Sequence, residues 1–168
     1  MPETPNPPPE PNDKKLPPEQ PKNFKGWKNL LIYGGILAAF YFGHVEIQTY
    51  LGEAALDKVA LERVTLNEAL KRSAASGRPV LMDVSAIWCP SCRKLDTQVL
   101  SDPSVQQTIE ANYEFARVEY ESDEGVAVQK KYDIRGYPTL LILDSAGNVL
   151  RELPRTYDPD AFKQLIGP

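Results

Sequence analysis

The chain has 168 residues, 42% hydrophobic and 25% charged. That length accommodates one ordinary domain with appendages and excludes a large multidomain enzyme. Two cysteines are too few for a disulfide-stapled mini-fold, one histidine leaves little for a His-based metal site, and a formal net charge of −4 argues against nucleic acid as a main partner.

The composition shifts along the chain. Nine of the sixteen prolines lie in the first 28 residues. The same stretch carries five lysines against Glu3, Glu10, Asp13 and Glu19, a net charge of +1, so the residues after Gly43 carry −5. Residues 1–28 read as a disordered Pro-rich tail, because almost no aliphatic side chain is available to offset the entropy of ordering. A plain spacer is favoured there over a Pro-rich ligand.

Leu30–Gly43 contains no charged residue. Counting on to Ile47, past His44 and Glu46, gives a run of roughly 27 Å as a helix, close to a hydrocarbon core of about 30 Å. Residues 29–47 are therefore expected to span a membrane, with Trp27, Tyr33, Tyr41 and Tyr50 near its interfaces. A cleaved signal peptide ending near Gly52-Glu53-Ala54 competes with this reading, but the long, Pro-rich, partly acidic leader disfavours it. Lysines before the span and an acidic excess after it keep the N-terminus cytoplasmic and export the remainder. Residues 48–64, with Leu51, Ala54, Ala55, Val59 and Leu61 near helical spacing, are expected to form a helical tether without chemistry of its own.

The globular part is expected over 65–168. Thr65-Leu66-Asn67-Glu68 is a capping box that opens a helix ending near Gly77. Pro79–Ser85 is a continuous apolar run of strand length, buried on both faces. A helix follows from Pro90 to Leu100, and Asp102-Pro103 restarts one that reaches Asn112. Tyr113–Glu121 reads as a strand, Glu124–Tyr132 as a helix and Thr139–Leu143 as a strand. Asp144–Gly147 is a turn into a fourth strand over Asn148–Leu153. Asp158 and Pro159 cap and open a closing helix that runs to Ile166. Strands alternating with helices require parallel crossovers, and the late hairpin adds an antiparallel edge. The expected class is α/β, a small mixed sheet with helices on both faces.

Both cysteines fall in Cys89-Pro90-Ser91-Cys92, between a buried strand and a helix start. A cysteine at a helix N-terminus meets unpaired N–H groups and the positive end of the macrodipole, which favour thiolate. Such pairs titrate at roughly 3.5–7.5, against about 8.5 for a free cysteine. The i,i+3 spacing puts the second sulfur on the same face, within disulfide range. Cys89 is expected to be the exposed attacking sulfur and Cys92 the shielded resolving one. A static disulfide closing so small a loop gains little, and a zinc site lacks two further ligands. Redox chemistry is favoured over both.

The stretch from Val80 to Lys94, with Trp88-Cys-Pro-Ser-Cys-Arg-Lys94 at its centre, resembles the strand, active-site loop and helix of the thioredoxin family. Lys131-Tyr-Asp-Ile-Arg-Gly-Tyr-Pro-Thr-Leu-Leu141 resembles that family's second signature. The likeness covers about 65–167 and looks closest to membrane-tethered, exported members. It implies a thioredoxin-like fold behind a single transmembrane helix, with Pro138 as a cis-proline and Tyr137 and Thr139 beside it as substrate contacts. It further implies that Trp88 shields the site and that Asp83, six residues before Cys89, is a buried carboxylate relaying the Cys92 proton through water. Arg117 or Glu119 falls near that carboxylate's charged partner, and the register does not decide between them. The interior Pro-Ser departs from the Gly-Pro of cytosolic thioredoxins.

These readings converge on a membrane-anchored thiol–disulfide oxidoreductase of the bacterial inner membrane, its domain in the periplasm. Cys89 and Cys92 are expected to exchange disulfides with exported proteins, in the reducing direction rather than as an oxidase. A membrane electron donor or acceptor would regenerate the pair. No cofactor, metal or nucleic acid enters this scheme. A non-catalytic peptide-binding module on the same fold is the alternative, and a copper carrier is disfavoured for want of a placed His or Met.

Overall fold

The computed structural model describes residues 25–167; most of the Pro-rich tail lies outside them. The chain divides into two compact units, residues 1–38 and 39–168. Helix α1 (Lys25–Leu56) begins in the first and ends in the second. From Trp27 onward it is long and apolar enough to cross a membrane, and none of its most apolar window is buried by protein. The expected tether is helical only as far as Leu56, where the Arg63 guanidinium donates to the terminal carbonyl. Residues 57–64 then form a turn and an extended segment that bridges Val64 to Ala116.

The second unit is built on a four-stranded sheet of order β2-β1-β3-β4, with β1 at Val80–Ser85, β2 at Glu114–Glu119, β3 at Thr139–Leu143 and β4 at Val149–Leu153. Helices α2 (Leu66–Ser76), α3 (Pro90–Leu95), α4 (Pro103–Asn112), α5 (Asp123–Tyr132) and α6 (Pro159–Ile166) cover it. Most boundaries follow from local chemistry. Thr65 accepts from the Glu68 N–H at the start of α2, and Gly77 ends that helix in the left-handed region at φ 76°. Asp102, Ser122 and Asp158 cap α4, α5 and α6 in the same way.

The expected parallel crossover into β3 is not observed. Only β1 and β2 are parallel; β3 runs antiparallel to β1, as β4 does to β3. The chain leaving α5 enters β3 beside the C-terminal end of β1, where Thr139 pairs with Val84, and not beside its start. Hydrophobic periodicity reports which residues are buried, not the direction in which a strand is entered.

Alternation along β1 divides the core. Val80, Met82 and Val84 pack with Ala116, Val118, Leu141 and Leu143 beneath α2 and α5. Leu81 packs on the other face with Phe115, Leu140 and Ile142 beneath Leu95, Val99, Ile109, Phe162 and Ile166. Period two puts Asp83 and Ser85 on that second face, below α3. There the register sets Asp83 beside Arg117 and Ser85 beside Glu119. One end of an otherwise apolar face thus carries the polar groups that underlie the cysteine loop.

Candidate active site

The chain leaves β1 at Ser85 and turns through Ala86, whose carbonyl accepts from the Cys89 N–H at 3.0 Å. Cys89 is extended and stands as the N-cap of α3, with Pro90 at the first helical position. Its sulfur accepts the Cys92 backbone N–H at 3.2 Å and lies 3.0 Å from the Ser91 hydroxyl. Both cysteines are free thiols. The helix N-terminus, which leaves donors without intrahelical partners, aims one of them at the first sulfur.

Cys89 is not the exposed residue that its position implied: it is 3% accessible and Cys92 1%. The cover is aromatic. Trp88, Tyr120 and Tyr137 pack against the pair. Tyr137 meets Trp88 edge-on at 5.6 Å between centroids and Tyr120 at 4.5 Å. The Trp88 indole donates to Glu121 at 3.0 Å, which fixes the lid from outside. Pro138 is buried behind a cis Tyr137–Pro138 bond. Thr139 donates its hydroxyl to the Gly136 carbonyl at 2.9 Å. The structure therefore gathers Trp88, Cys89, Cys92, Tyr137 and Pro138 at one end of the sheet.

Beneath the sulfurs lies a charged layer. Asp83 is fully buried; it accepts Ser85 Oγ at 2.6 Å and Arg117 Nη1 at 2.7 Å. The same Arg117 nitrogen reaches Asp96 Oδ1 at 2.7 Å, and Nη2 reaches Asp96 Oδ2 at 3.2 Å. This decides the charged partner of Asp83 in favour of Arg117. Glu119 instead accepts the Ile87 N–H at 2.9 Å, and half-burial raises its pKa. Burial raises the Asp96 carboxyl to about 6; Arg117 opposes that shift, and the Asp83 charge adds to it. Burial pushes the Cys92 thiol up, its hydrogen bond to Cys89 acts in the same direction, and the Asp83 charge contributes further. Among the described residues, Asp83 bonds to neither sulfur. A proton passing between Asp83 and Cys92 would need a bridging water, as in the relay expected above.

Asp96 was missed in the sequence, although it lies four residues after Cys92 and hence on the same helical face. Gln48 and Gly52 were also missed. Gln48 accepts Arg93 Nη1 at 2.6 Å, directly after the cysteine pair. Gly52 is buried against the loop before it: a Cβ there would stand 1.9 Å from the Ile87 carbonyl oxygen. No sequence pattern reports such a close approach between segments so far apart. Among the described residues, no group of three His, Cys, Asp or Glu side chains is placed to hold a metal.

Comparison with known proteins agrees with this fold. A family model described as thioredoxin-like matches residues 60–145. The thiol:disulfide interchange protein DsbD of Citrobacter koseri is 34% identical over 84 residues, covering 49% of this chain and 14% of DsbD. That of Yersinia enterocolitica is 32% identical over 120 residues, covering 71% of this chain and 20% of DsbD. The chain thus spans only a fraction of these relatives. Among solved structures, a thioredoxin from Thermus thermophilus superposes with a TM-score of 0.58 at 29% identity, covering 64% of this chain and 85% of that one. The C-terminal domain of Neisseria meningitidis DsbD in its reduced form gives 0.52 at 25% identity, covering 60% and 90%. With a matching family model over half its length and this fold around Cys89 and Cys92, the chain belongs to the thioredoxin-like family.

Proposed function

We propose that the protein is a membrane-anchored thiol–disulfide oxidoreductase that reduces disulfides in exported proteins. The observation that carries this reading is the paired sulfurs on the first turn of α3, with the Cys92 N–H directed at Cys89 Sγ. Cys89, as thiolate, attacks one sulfur of a substrate disulfide; an S–S bond forms to Cys89 and the other substrate sulfur leaves as a thiolate, which takes up a proton. The Cys92 thiol loses its proton, to Asp83 through water in this scheme, and attacks Cys89 Sγ. The second substrate sulfur leaves as a thiolate and takes up the proton that Asp83 returns through water, and the Cys89–Cys92 disulfide remains. Two electrons have passed to the substrate, and a reduced dithiol partner at the membrane must return them. The Cys92 N–H bond to Cys89 strengthens as charge collects on that sulfur.

The layer beneath supports the reducing direction. Strong oxidants of this type hold their reduced form by stabilising a thiolate. Here two carboxylates, Asp83 and Asp96, share one guanidinium below the sulfurs. A negative surplus opposes thiolate and favours the reductant. Trp88, Tyr137 and the Pro138 loop are the substrate-facing wall, and Thr139 offers backbone at its edge.

Replacing Cys92 by Ser in the full chain should trap a mixed disulfide between Cys89 and a disulfide-bearing peptide, and Cys89→Ser should trap none. The potential of the wild-type pair should fall toward about −270 mV; a value near −120 mV would reverse the direction assigned here. Undiminished activity of the Cys89→Ser/Cys92→Ser double variant would instead support a peptide-binding module.

A further inference from the structure

The second half of α1 is not a free stalk. Within the unit 39–168, its less exposed residues are Val45, Gln48, Thr49, Gly52, Ala55 and Leu56, a stripe at i, i+3, i+4, i+7 spacing. That stripe is fastened at two points on the catalytic loop: Gln48 to Arg93, and the Gly52 backbone against the Ile87 carbonyl. One turn earlier a cavity of about 340 Å³ lies between this helix and the loop. His44, Val45 and Gln48 form one wall; Trp88, Pro90 and Glu121 form the other. Trp88 and Pro90 flank Cys89 in the chain, so the groove lies beside the catalytic loop, against the Trp88 side of the aromatic lid.

The groove also has a direction. Tyr41 closes the end toward the N-terminus of α1, and Phe40, Tyr41 and Phe42 are all exposed. These residues belong to the charge-free run of the sequence, and a tyrosine such as Tyr41 suits a membrane–water interface. From Phe42 to Gln48 the helix rises roughly 9 Å. With Val45 less exposed and Gln48 bonded to Arg93, this reading ends the span near Phe42 and not at residue 47, about one and two-thirds turns before the fastened Gln48.

We propose that this groove receives the extended, disulfide-bearing juxtamembrane segment of an integral membrane protein. The proposal rests on the anchored oxidoreductase reading and names its partner class. A rigidly fastened site this near the interface meets chain emerging from the bilayer directly, whereas a disulfide on a distant globular surface must descend to it. Tyr41, Val45, Trp88 and Pro90 supply apolar contact to such a segment, and His44 and Glu121 supply polar contact to its backbone. Gln48 and Gly52 are positioning residues, acting through Arg93 and Ile87.

The test uses the reduced full chain in proteoliposomes with two synthetic single-span peptides. Both carry the same disulfide loop, one about two residues beyond the span and the other about twenty residues out, roughly 65 Å if extended. Membrane confinement raises the effective concentration of both, more so for the shorter tether, so the groove's share of any rate difference is read from the variants. The proximal disulfide should be reduced at least about tenfold faster, a difference of about 1.4 kcal/mol in barrier. Gly52→Val, which drives the helix off Ile87, and Val45→Glu, which charges the groove wall, should each bring that ratio toward one. If Gly52→Val fails to fold, Val45→Glu decides. Equal rates in the wild type, or a faster distal loop, would overturn the proposal and point to soluble exported partners. Reduction of neither peptide would overturn the oxidoreductase reading beneath it.

Discussion

Asp96 sits on a single π-helical turn, Asp96–Leu100, that continues α3. It is buried to 2% accessibility and shares Arg117 with Asp83. Its carboxyl is raised to about 6, whereas an unfolded aspartate titrates near 3.9. The folded chain therefore binds the extra proton between about pH 4 and pH 6. The stability contributed by neutral Asp96 is complete below about pH 4 and is lost as pH rises through about 6. Asp96→Asn keeps an oxygen for Arg117 and removes the titration. The stability of wild type minus variant, from urea denaturation at several pH values, should fall by on the order of 3 kcal/mol between pH 4 and pH 7. A constant difference would show that this carboxyl does not titrate there. The residue could be placed on the Cys92 face from spacing alone. Its burial could not, because that depends on β2 delivering Arg117 opposite Asp83.

At the scale of elements, the positions that tolerate no side chain are junctions. Gly125 lies in the first turn of α5, where a Cβ would stand 2.1 Å from the Glu119 carbonyl oxygen and 2.5 Å from that of Tyr120. The helix crosses the end of β2 at backbone contact, just where Tyr120 and Glu121 enter the aromatic lid. Gly125→Ala must displace one of them and should cost about 1–3 kcal/mol in a denaturant titration. Gly136 meets nothing within 4 Å, so Gly136→Ala should stay within about 0.5 kcal/mol of wild type. Equal effects would mean that the α5–β2 approach is not tight. The elements themselves were largely legible. Thr65, Asp102 and Asp158 announce helix starts through short-range hydrogen bonds that need no tertiary partner. The break at Asp96, where α3 yields to a π turn, was not legible, since the residues 90–100 read as one helix.

For the whole molecule, α1 joins an uncharged run to a helix fastened beside the active site. If it anchors the chain with the N-terminus inside, the protein should remain in the membrane pellet after alkaline carbonate extraction. Protease added to intact spheroplasts should then digest the 65–168 domain while a cytoplasmic marker survives. Digestion only after membrane rupture would reverse the orientation.

What the sequence by itself determined is what short-range chemistry and periodicity encode. That covers the helix starts, the buried strand Val80–Ser85, the uncharged run and a cysteine pair on the first turn of a helix. Tertiary structure alone decided the antiparallel entry of β3, the burial of Cys89 beneath Trp88 and Tyr137, the choice of Arg117 over Glu119, and the fastening of Gln48 and Gly52 to the catalytic loop. Each of these depends on which surfaces meet across dozens of intervening residues. That choice is made by the packing of the whole core, to which no local pattern has access.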